Sequence, residues 1–291
     1  MREKDPNRER YLLSEADNSR IFHEHLFTSE YGLIQGIDTP SAHFFGAQPG
    51  AGKSVLQGSV RDGLISRDGL NSVMTIAGDR FRAYHPEYGR LLEEDDESAA
   101  LYTDMDTNRW VEKSIDVSYS LRPHVILENT LRNAAISIDS ARQYRERQFG
   151  TSMHIVAVSE FISRLRIFGR YFDQIERTGR GRYTAPSAHD ISYEALPNSL
   201  SAIASADVFD EIALYDLYGQ QLIRTRRGDT DGETYLQQAL SAERDVRRLN
   251  TTELFDTAIR YEQLAHRYGR TGVLRDIAKY RDDLTSALAE N

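Results

Sequence analysis

Short, largely apolar runs punctuate this chain: Ala42-His43-Phe44-Phe45, Val73-Met74-Thr75-Ile76, Val125-Ile126-Leu127, His154-Ile155-Val156-Ala157-Val158 and Glu211-Ile212-Ala213-Leu214-Tyr215. A strand that is apolar at successive positions has no face to give to water, so these runs read as strands covered on both sides. Helical segments separate them, and that alternation predicts a parallel sheet flanked by helices. Tyr218-Gly219-Gln220 is a turn signal, after which Gln221-Leu222-Ile223-Arg224 returns as a last strand. Residues 1–40 read as charged helices, with a loop near Gly36–Pro40 leading into the first strand.

The pattern changes after Arg224. Arg226-Arg227-Gly228-Asp229-Thr230-Asp231-Gly232 reads as a polar linker, and residues 233–291 as two or three amphipathic helices, interrupted near Asn250-Thr251-Thr252 and Gly269–Gly272. Thr251 and Thr252 are N-cap candidates. The predicted organisation is an α/β domain over residues 1–228 followed by a helical C-terminal extension over 229–291. The acidic run Glu93-Glu94-Asp95-Asp96-Glu97 reads as a solvated loop.

Between the first strand and the next helix lies Gly46-Ala47-Gln48-Pro49-Gly50-Ala51-Gly52-Lys53-Ser54. Strand, glycine-rich turn, Lys-Ser and helix is the context that a phosphate-binding P-loop requires. Glycines let successive amide N–H groups face an anion, and the helix N-terminus adds its dipole. Gly50, Ala51, Gly52, Lys53 and Ser54 are therefore the expected nucleotide contacts. Lys53 reaches the β/γ-phosphates, and Ser54 offers its hydroxyl to Mg²⁺. Ala47 stands where the strict pattern has its first glycine.

Composition narrows the partners. The 291 residues suffice for a large core, include no cysteine and carry a formal net charge of -9. Broad nucleic-acid binding needs a basic field and is not expected. The charged start of the chain is not a secretory signal, no apolar run approaches the length of a membrane span, and a cytoplasmic location is expected.

Ligands of parallel sheets lie beyond the carboxyl ends of the strands. Gly78-Asp79-Arg80-Phe81-Arg82 follows the second strand there, and Glu128-Asn129-Thr130-Leu131-Arg132 follows the third. A later segment concentrates Arg164, Arg166, Arg170, Arg177, Arg180 and Arg182 against only Asp173 and Glu176. Arg binds phosphate oxygens with a planar fork, so part of this cluster suits a phosphate clamp. Arg164 and Arg166 are assigned to a solvated basic face, with Arg166 serving as a neutral control.

In order, the chain presents Gly46–Ser54; Asp79-Arg80-Phe81-Arg82-Ala83-Tyr84-His85-Pro86; Asn108-Arg109-Trp110-Val111-Glu112; Glu128–Arg132; Arg170-Tyr171; Arg182–Asp190; and Leu196-Pro197. This succession resembles the zeta toxins over roughly residues 20–225. The resemblance implies a P-loop kinase fold. It also implies a small-molecule kinase of a toxin–antitoxin pair, which moves the γ-phosphate of ATP or GTP to the 3′-hydroxyl of the amino sugar in UDP-N-acetylglucosamine and so blocks cell-wall synthesis. By position, Asp79 matches the base facing the sugar hydroxyl. Glu112, Glu128, Thr130 and Arg132 match residues around the substrate, and Arg170 and Arg182 match the pair that contacts the transferring phosphate. A small antitoxin protein is the implied partner.

Ala77 and Asn129 depart from the family pattern on the acceptor side. A kinase of another acceptor, such as an antibiotic or a dinucleotide ribose, therefore stays open, as does a nucleotide-binding regulator without turnover. His189 and Asp190 read as helix-opening structural residues. The His23/His25 pair lacks a third metal ligand, and Trp110 and Tyr84 suit core packing at least as well as base stacking.

Overall fold

The computed structural model describes residues 9–94, 96 and 99–290. Its strands are β1 (Ser41–Gly46), β2 (Val73–Ile76), β3 (His124–Asn129), β4 (Gly150–Val156), β5 (Glu211–Tyr215) and β6 (Gln221–Arg226). They form one sheet in the order β2-β3-β1-β4-β5-β6. β1 pairs in parallel with β3 and β4, the pairs β2–β3 and β4–β5 are also parallel, and β6 alone runs antiparallel on the edge. The predicted parallel sheet and its returning last strand are both present.

The helices are α1 (Glu15–Ile21), α2 (Thr28–Tyr31), α3 (Lys53–Asp68), α4 (Gly78–Phe81), α5 (Tyr88–Glu94), α6 (Ala99–Leu121), α7 (Ala134–Glu146), α8 (Glu160–Thr178), α9 (Pro186–Ser205), α10 (Gly232–Arg244), α11 (Thr251–Arg267) and α12 (Thr271–Ala289). A wider, π-helical turn over Phe22–Phe27 joins α1 to α2.

Alternation along the strands sorts the core into two layers. Phe44 packs with Val125, Met153 and Ile155 toward α6, α7, α9 and α10. Phe45 packs with Ile126, Val156 and Ala213 toward Leu56 and Leu64 of α3. Burying a side chain of this size stabilises the fold by about 2–3 kcal/mol. Trp110 is fully buried and its indole N–H donates to the Asn18 carbonyl at 2.9 Å, so it is a core residue. Tyr84 is half-buried, with its hydroxyl on Glu30 at 2.9 Å.

The segment after residue 229 packs in two places. Leu236 and Leu240 of α10 join the sheet core. α11 and α12 instead enclose a separate apolar cluster with α8, built on Phe168, Phe172, Val273, Ile277 and Tyr280. α11 opens on an Asn250 cap, the Asn side chain accepting from the Glu253 amide, so the capping residue lies just before the two threonines proposed for it.

A polar chain, exposed at its Asp68 end and buried at His124 and His154, crosses the α3 face of the sheet. His124 Nε2 lies 2.8 Å from Asp68 Oδ2, and its Nδ1 lies 2.6 Å from Ser41 Oγ. Ser41 Oγ is 2.8 Å from His43 Nε2, His43 Nδ1 is 3.1 Å from His154 Nε2, and His154 Nδ1 is 3.1 Å from the Tyr215 hydroxyl. Burial holds His43 down at about 3 and His154 at about 4, so both rings are neutral at physiological pH.

Candidate active site

β1 ends at Gly46 and α3 begins at Lys53, so the glycine-rich turn spans the gap between a central strand and a helix N-terminus. Gly50 and Gly52 take φ values of +80° and +94°, the left-handed region that favours glycine. At Gly50 an added Cβ would also meet the Ser163 carbonyl oxygen at 2.0 Å, which leaves no room for a side chain. Gln48 pins the turn from beneath, its amide donating to the Val158 carbonyl at 3.1 Å and to Ser163 Oγ at 3.3 Å. Ala47 is wholly buried, so a methyl group is accommodated where the strict pattern has glycine.

Lys53 Nζ donates to the Ala47 carbonyl at 2.9 Å and stands 3.9 Å from Glu128. Burial lowers its pKa, an effect that Glu128 and Asp79 oppose and that Arg170 and Arg182 reinforce. Asp79 lies in the first turn of α4 and pairs with Arg182 and, at 3.3 Å, with Arg82. Burial works to raise its pKa, but the two guanidinium groups outweigh that and hold the carboxyl well below its ordinary range. Arg82 is itself buried and anchored to Asp104 and to Thr103 Oγ1 at 3.0 Å. For Arg182, burial disfavours the charge, and Asp79 more than restores it.

Arg170 donates to Thr184 Oγ1 at 2.7 Å, yet its Nε is buried without a hydrogen-bond partner. Burial first and Arg182 second lower its pKa. Lys53, Arg170 and Arg182 thus converge on a space to which, among the described residues, Asp79 and Glu128 bring carboxylates. Three cations against two carboxylates, with one guanidinium N–H unsatisfied, make a site suited to an anion beside the P-loop.

The other expected residues lie around this centre. Glu128 is at the end of β3, one-third exposed. Thr130 Oγ1 accepts from Arg132 Nε at 3.1 Å in the following turn. Glu112 is exposed on α6, next to Val111, whose side chain lies 3.5 Å from where a Cβ on Gly78 would be. It is Val111, then, that meets the Asp79 turn. Asn129 spends its side chain locally: its oxygen accepts from the Leu131 amide at 2.8 Å and its nitrogen donates to Ser137 at 2.9 Å. That fastening holds Leu131 at φ +53°.

Ser54 is exposed at the start of α3. Among the described residues no group of three His, Asp or Glu side chains is placed to hold a metal ion. An exposed hydroxyl at Ser54 suits Mg²⁺, which takes few protein ligands and fills its shell with phosphate oxygens and water. His23 and His25 are both exposed, apart from any such site.

Two expectations need correction and a third, for Arg166, needs an addition. Arg164 is not on a solvated face. It is largely buried and binds Glu160 at 3.1 Å, Asp190 at 2.9 Å and Asp283 at 2.9 Å, joining α8 to α9 and α12. Arg166 is exposed but borders the P-loop, with its Nη2 lying 3.3 Å from the position of a Cβ on Gly52. Beside it the β5–β6 turn presents Tyr218, 82% exposed. The acidic run is not simply solvated either. Asp96 is buried and accepts from the Gly181 amide and from Arg270, while Glu93 pairs with Arg180 at 2.9 Å. Asp95 and Glu97 lie outside the described residues. His189 is fully buried between Ser163 Oγ at 2.8 Å and Asp190 at 2.9 Å, a structural position.

The family model for zeta toxin matches residues 24–259. Toxin zeta of Streptococcus agalactiae is 27% identical over 187 residues, covering 64% of this chain and 63% of that protein. Toxin zeta of Enterococcus hirae is 26% identical over 206 residues, covering 69% and 70%. A solved structure from the PezAT chromosomal toxin–antitoxin system of Streptococcus pneumoniae superposes with a TM-score of 0.70 at 19% identity, over 87% of this chain and 98% of that one. That likeness is one of fold. Among the described residues no helix is long and apolar enough to cross a membrane.

Proposed function

The chain belongs to the zeta toxin family, and from that premise we propose that it moves the γ-phosphate of ATP or GTP to the 3′-hydroxyl of the amino sugar in UDP-N-acetylglucosamine, withdrawing that precursor from cell-wall synthesis. The observation that carries this reading is the meeting of Lys53, Arg170, Arg182 and Asp79 over one glycine-rich turn. A Mg²⁺ ion held by Ser54 and the triphosphate supplies further neutralisation of phosphate charge when bound.

The pairing of Asp79 with Arg182 suggests how the donor prepares the acceptor side. A triphosphate seated on the P-loop competes with Asp79 for the Arg182 guanidinium. Arg182 then faces the transferring phosphate, and Asp79 is left to accept a hydrogen bond from the sugar hydroxyl. Even with Arg182 drawn away, an aspartate carboxylate is a weak base, which suits a loose transition state in which the hydroxyl proton leaves late. Asp79 then chiefly orients the nucleophile, and Arg170 and Arg182 stabilise the charge that develops. Glu112, Glu128, Thr130 and Arg132 form the proposed acceptor wall.

A small antitoxin protein is the proposed partner, covering the nucleotide site, and the proposed place of action is the cytoplasm. A second reading keeps the kinase and changes the acceptor. It draws on Asn129, whose amide is committed to its own turn and so is not offered to a sugar. Mass spectrometry of nucleotide sugars, dinucleotides and antibiotics incubated with the protein, Mg²⁺ and ATP or GTP tests both readings. Phosphorylated UDP-N-acetylglucosamine is the expected product. Modification of a different acceptor alone selects the second reading, and nucleotide binding without transfer to any acceptor makes the chain a regulator.

A further inference from the structure

Resting on the kinase reading, we infer that the helical pair α11–α12 is a brace for the arginine-bearing loop, with Asp96, Arg270 and Asp276 as positioning residues for Arg182. The loop runs from Gly179 to Ala185 between α8 and α9, and a connection of this kind is ordinarily among the more mobile parts of a fold. Arg182 has to be aimed closely, because a displacement of about 1 Å at a reacting centre can cost ~10²-fold in rate.

Both residues flanking Arg182 are tied to the C-terminal segment. On one side, the Gly181 amide donates to Asp96 Oδ2 at 3.3 Å. The same buried carboxylate accepts from Arg270 Nη2 at 3.1 Å and Nη1 at 3.4 Å, and from the Tyr171 hydroxyl at 3.3 Å. Arg270 is the residue on which α12 opens. On the other side, the Tyr183 hydroxyl donates to Asp276 Oδ2 on α12 at 2.7 Å. The second arginine is held through its helix: a Cβ on Gly169, the residue before Arg170, would lie 2.4 Å from the Tyr261 hydroxyl of α11, so α8 and α11 touch at that point. The loop also has anchors within α8: the Arg182 amide donates to Gln174 Oε1 at 2.7 Å, Arg170 donates to Thr184 Oγ1 at 2.7 Å, and Thr178 Oγ1 donates to the Arg180 carbonyl at 2.9 Å.

The physical hinge is Asp96. A carboxylate that is 5% exposed persists only while paired, and Arg270 is the guanidinium that pairs it. Without Arg270 the carboxylate moves toward water and releases the Gly181 amide, and the loop loses its hold on one side of Arg182. Residues 251–290 therefore serve the phosphate site through Asp96, which lies 174 residues before Arg270 in the chain.

The test is hydrogen–deuterium exchange combined with steady-state kinetics on full-length Arg270→Ala, Arg270→Lys and Tyr183→Phe. Tyr183→Phe removes a single hydroxyl and keeps the question answerable if Arg270→Ala does not fold. The brace predicts that amides of residues 179–185 exchange about tenfold faster while β1–β4 are unchanged. It predicts that kcat falls about tenfold or more with the donor KM within about threefold, because Arg182 acts on charge that develops in the transition state. Arg270→Lys should recover part of both, and in an Arg182→Ala background Arg270→Ala should cost no further rate. Unchanged loop exchange, or a cost that simply adds to that of Arg182→Ala, overturns the inference. If the wild type transfers phosphate to no acceptor, the kinase reading fails, and the exchange result alone decides whether the loop is braced.

Discussion

Asp79 and Arg182 neutralise one another across the candidate site, and that pairing sets what single substitutions do. Arg182→Ala should lower turnover by about 10²–10³-fold with a smaller effect on triphosphate affinity. It should also let the Asp79 carboxyl climb back toward its ordinary value of about 3.9, which NMR titration would follow. A carboxyl that stays strongly acidic without Arg182 would contradict the pairing. Arg182→Lys and Arg170→Lys should also be poor, since a point charge cannot reproduce a planar fork. Lys53→Ala should abolish transfer and weaken triphosphate binding, with calorimetry as the measurement. Arg166 borders Gly52, so Arg166→Ala should raise the donor KM several-fold rather than pass unnoticed, and initial-rate kinetics would show it.

At the scale of elements, the histidine chain on the α3 face makes a prediction about acid. His43 and His154 are held neutral in the fold, with pKa values lowered to about 3 and about 4. In the unfolded chain they titrate near the ordinary value of about 6.5. Their contribution is therefore fully present above about pH 6.5 and drains away as pH falls toward the folded values. By pH 5 each should have cost about 2 kcal/mol of stability relative to pH 7.5. Urea denaturation across that range measures this, and a midpoint that does not move would contradict it. The strands that carry these rings were legible in sequence because continuous apolar runs have few other uses. The phosphate turn was legible because Gly50 and Gly52 occupy backbone angles that few other residues adopt. The roles of Arg164 and Asp96 were not. Both are charged, and their burial depends on Asp283 and Arg270, which lie 119 and 174 residues away. No local pattern announces a partner at that distance, so charge in sequence read as solvation. Arg166 escaped for a related reason: its helix face is ordinary, and only the fold lays it against Gly52.

For the molecule as a whole, the glycine-rich turn with Lys53, the two arginines Arg170 and Arg182, and Asp79 lie together on one rim of a parallel sheet. Expression of the wild type without a partner should arrest or lyse bacterial cells. Asp79→Ala should relieve this while leaving the protein folded, and full toxicity from soluble Asp79→Ala would contradict the role given to that residue. The most direct measurement of the central claim is phosphorus NMR of UDP-N-acetylglucosamine incubated with Mg²⁺ and ATP or GTP, comparing the wild type with Lys53→Ala and Asp79→Ala. The account predicts a new phosphomonoester signal on the sugar with the wild type, none with Lys53→Ala, and a rate at least about 10²-fold lower with Asp79→Ala. Unaltered UDP-N-acetylglucosamine with active wild-type protein, or equal rates in all three, would contradict it.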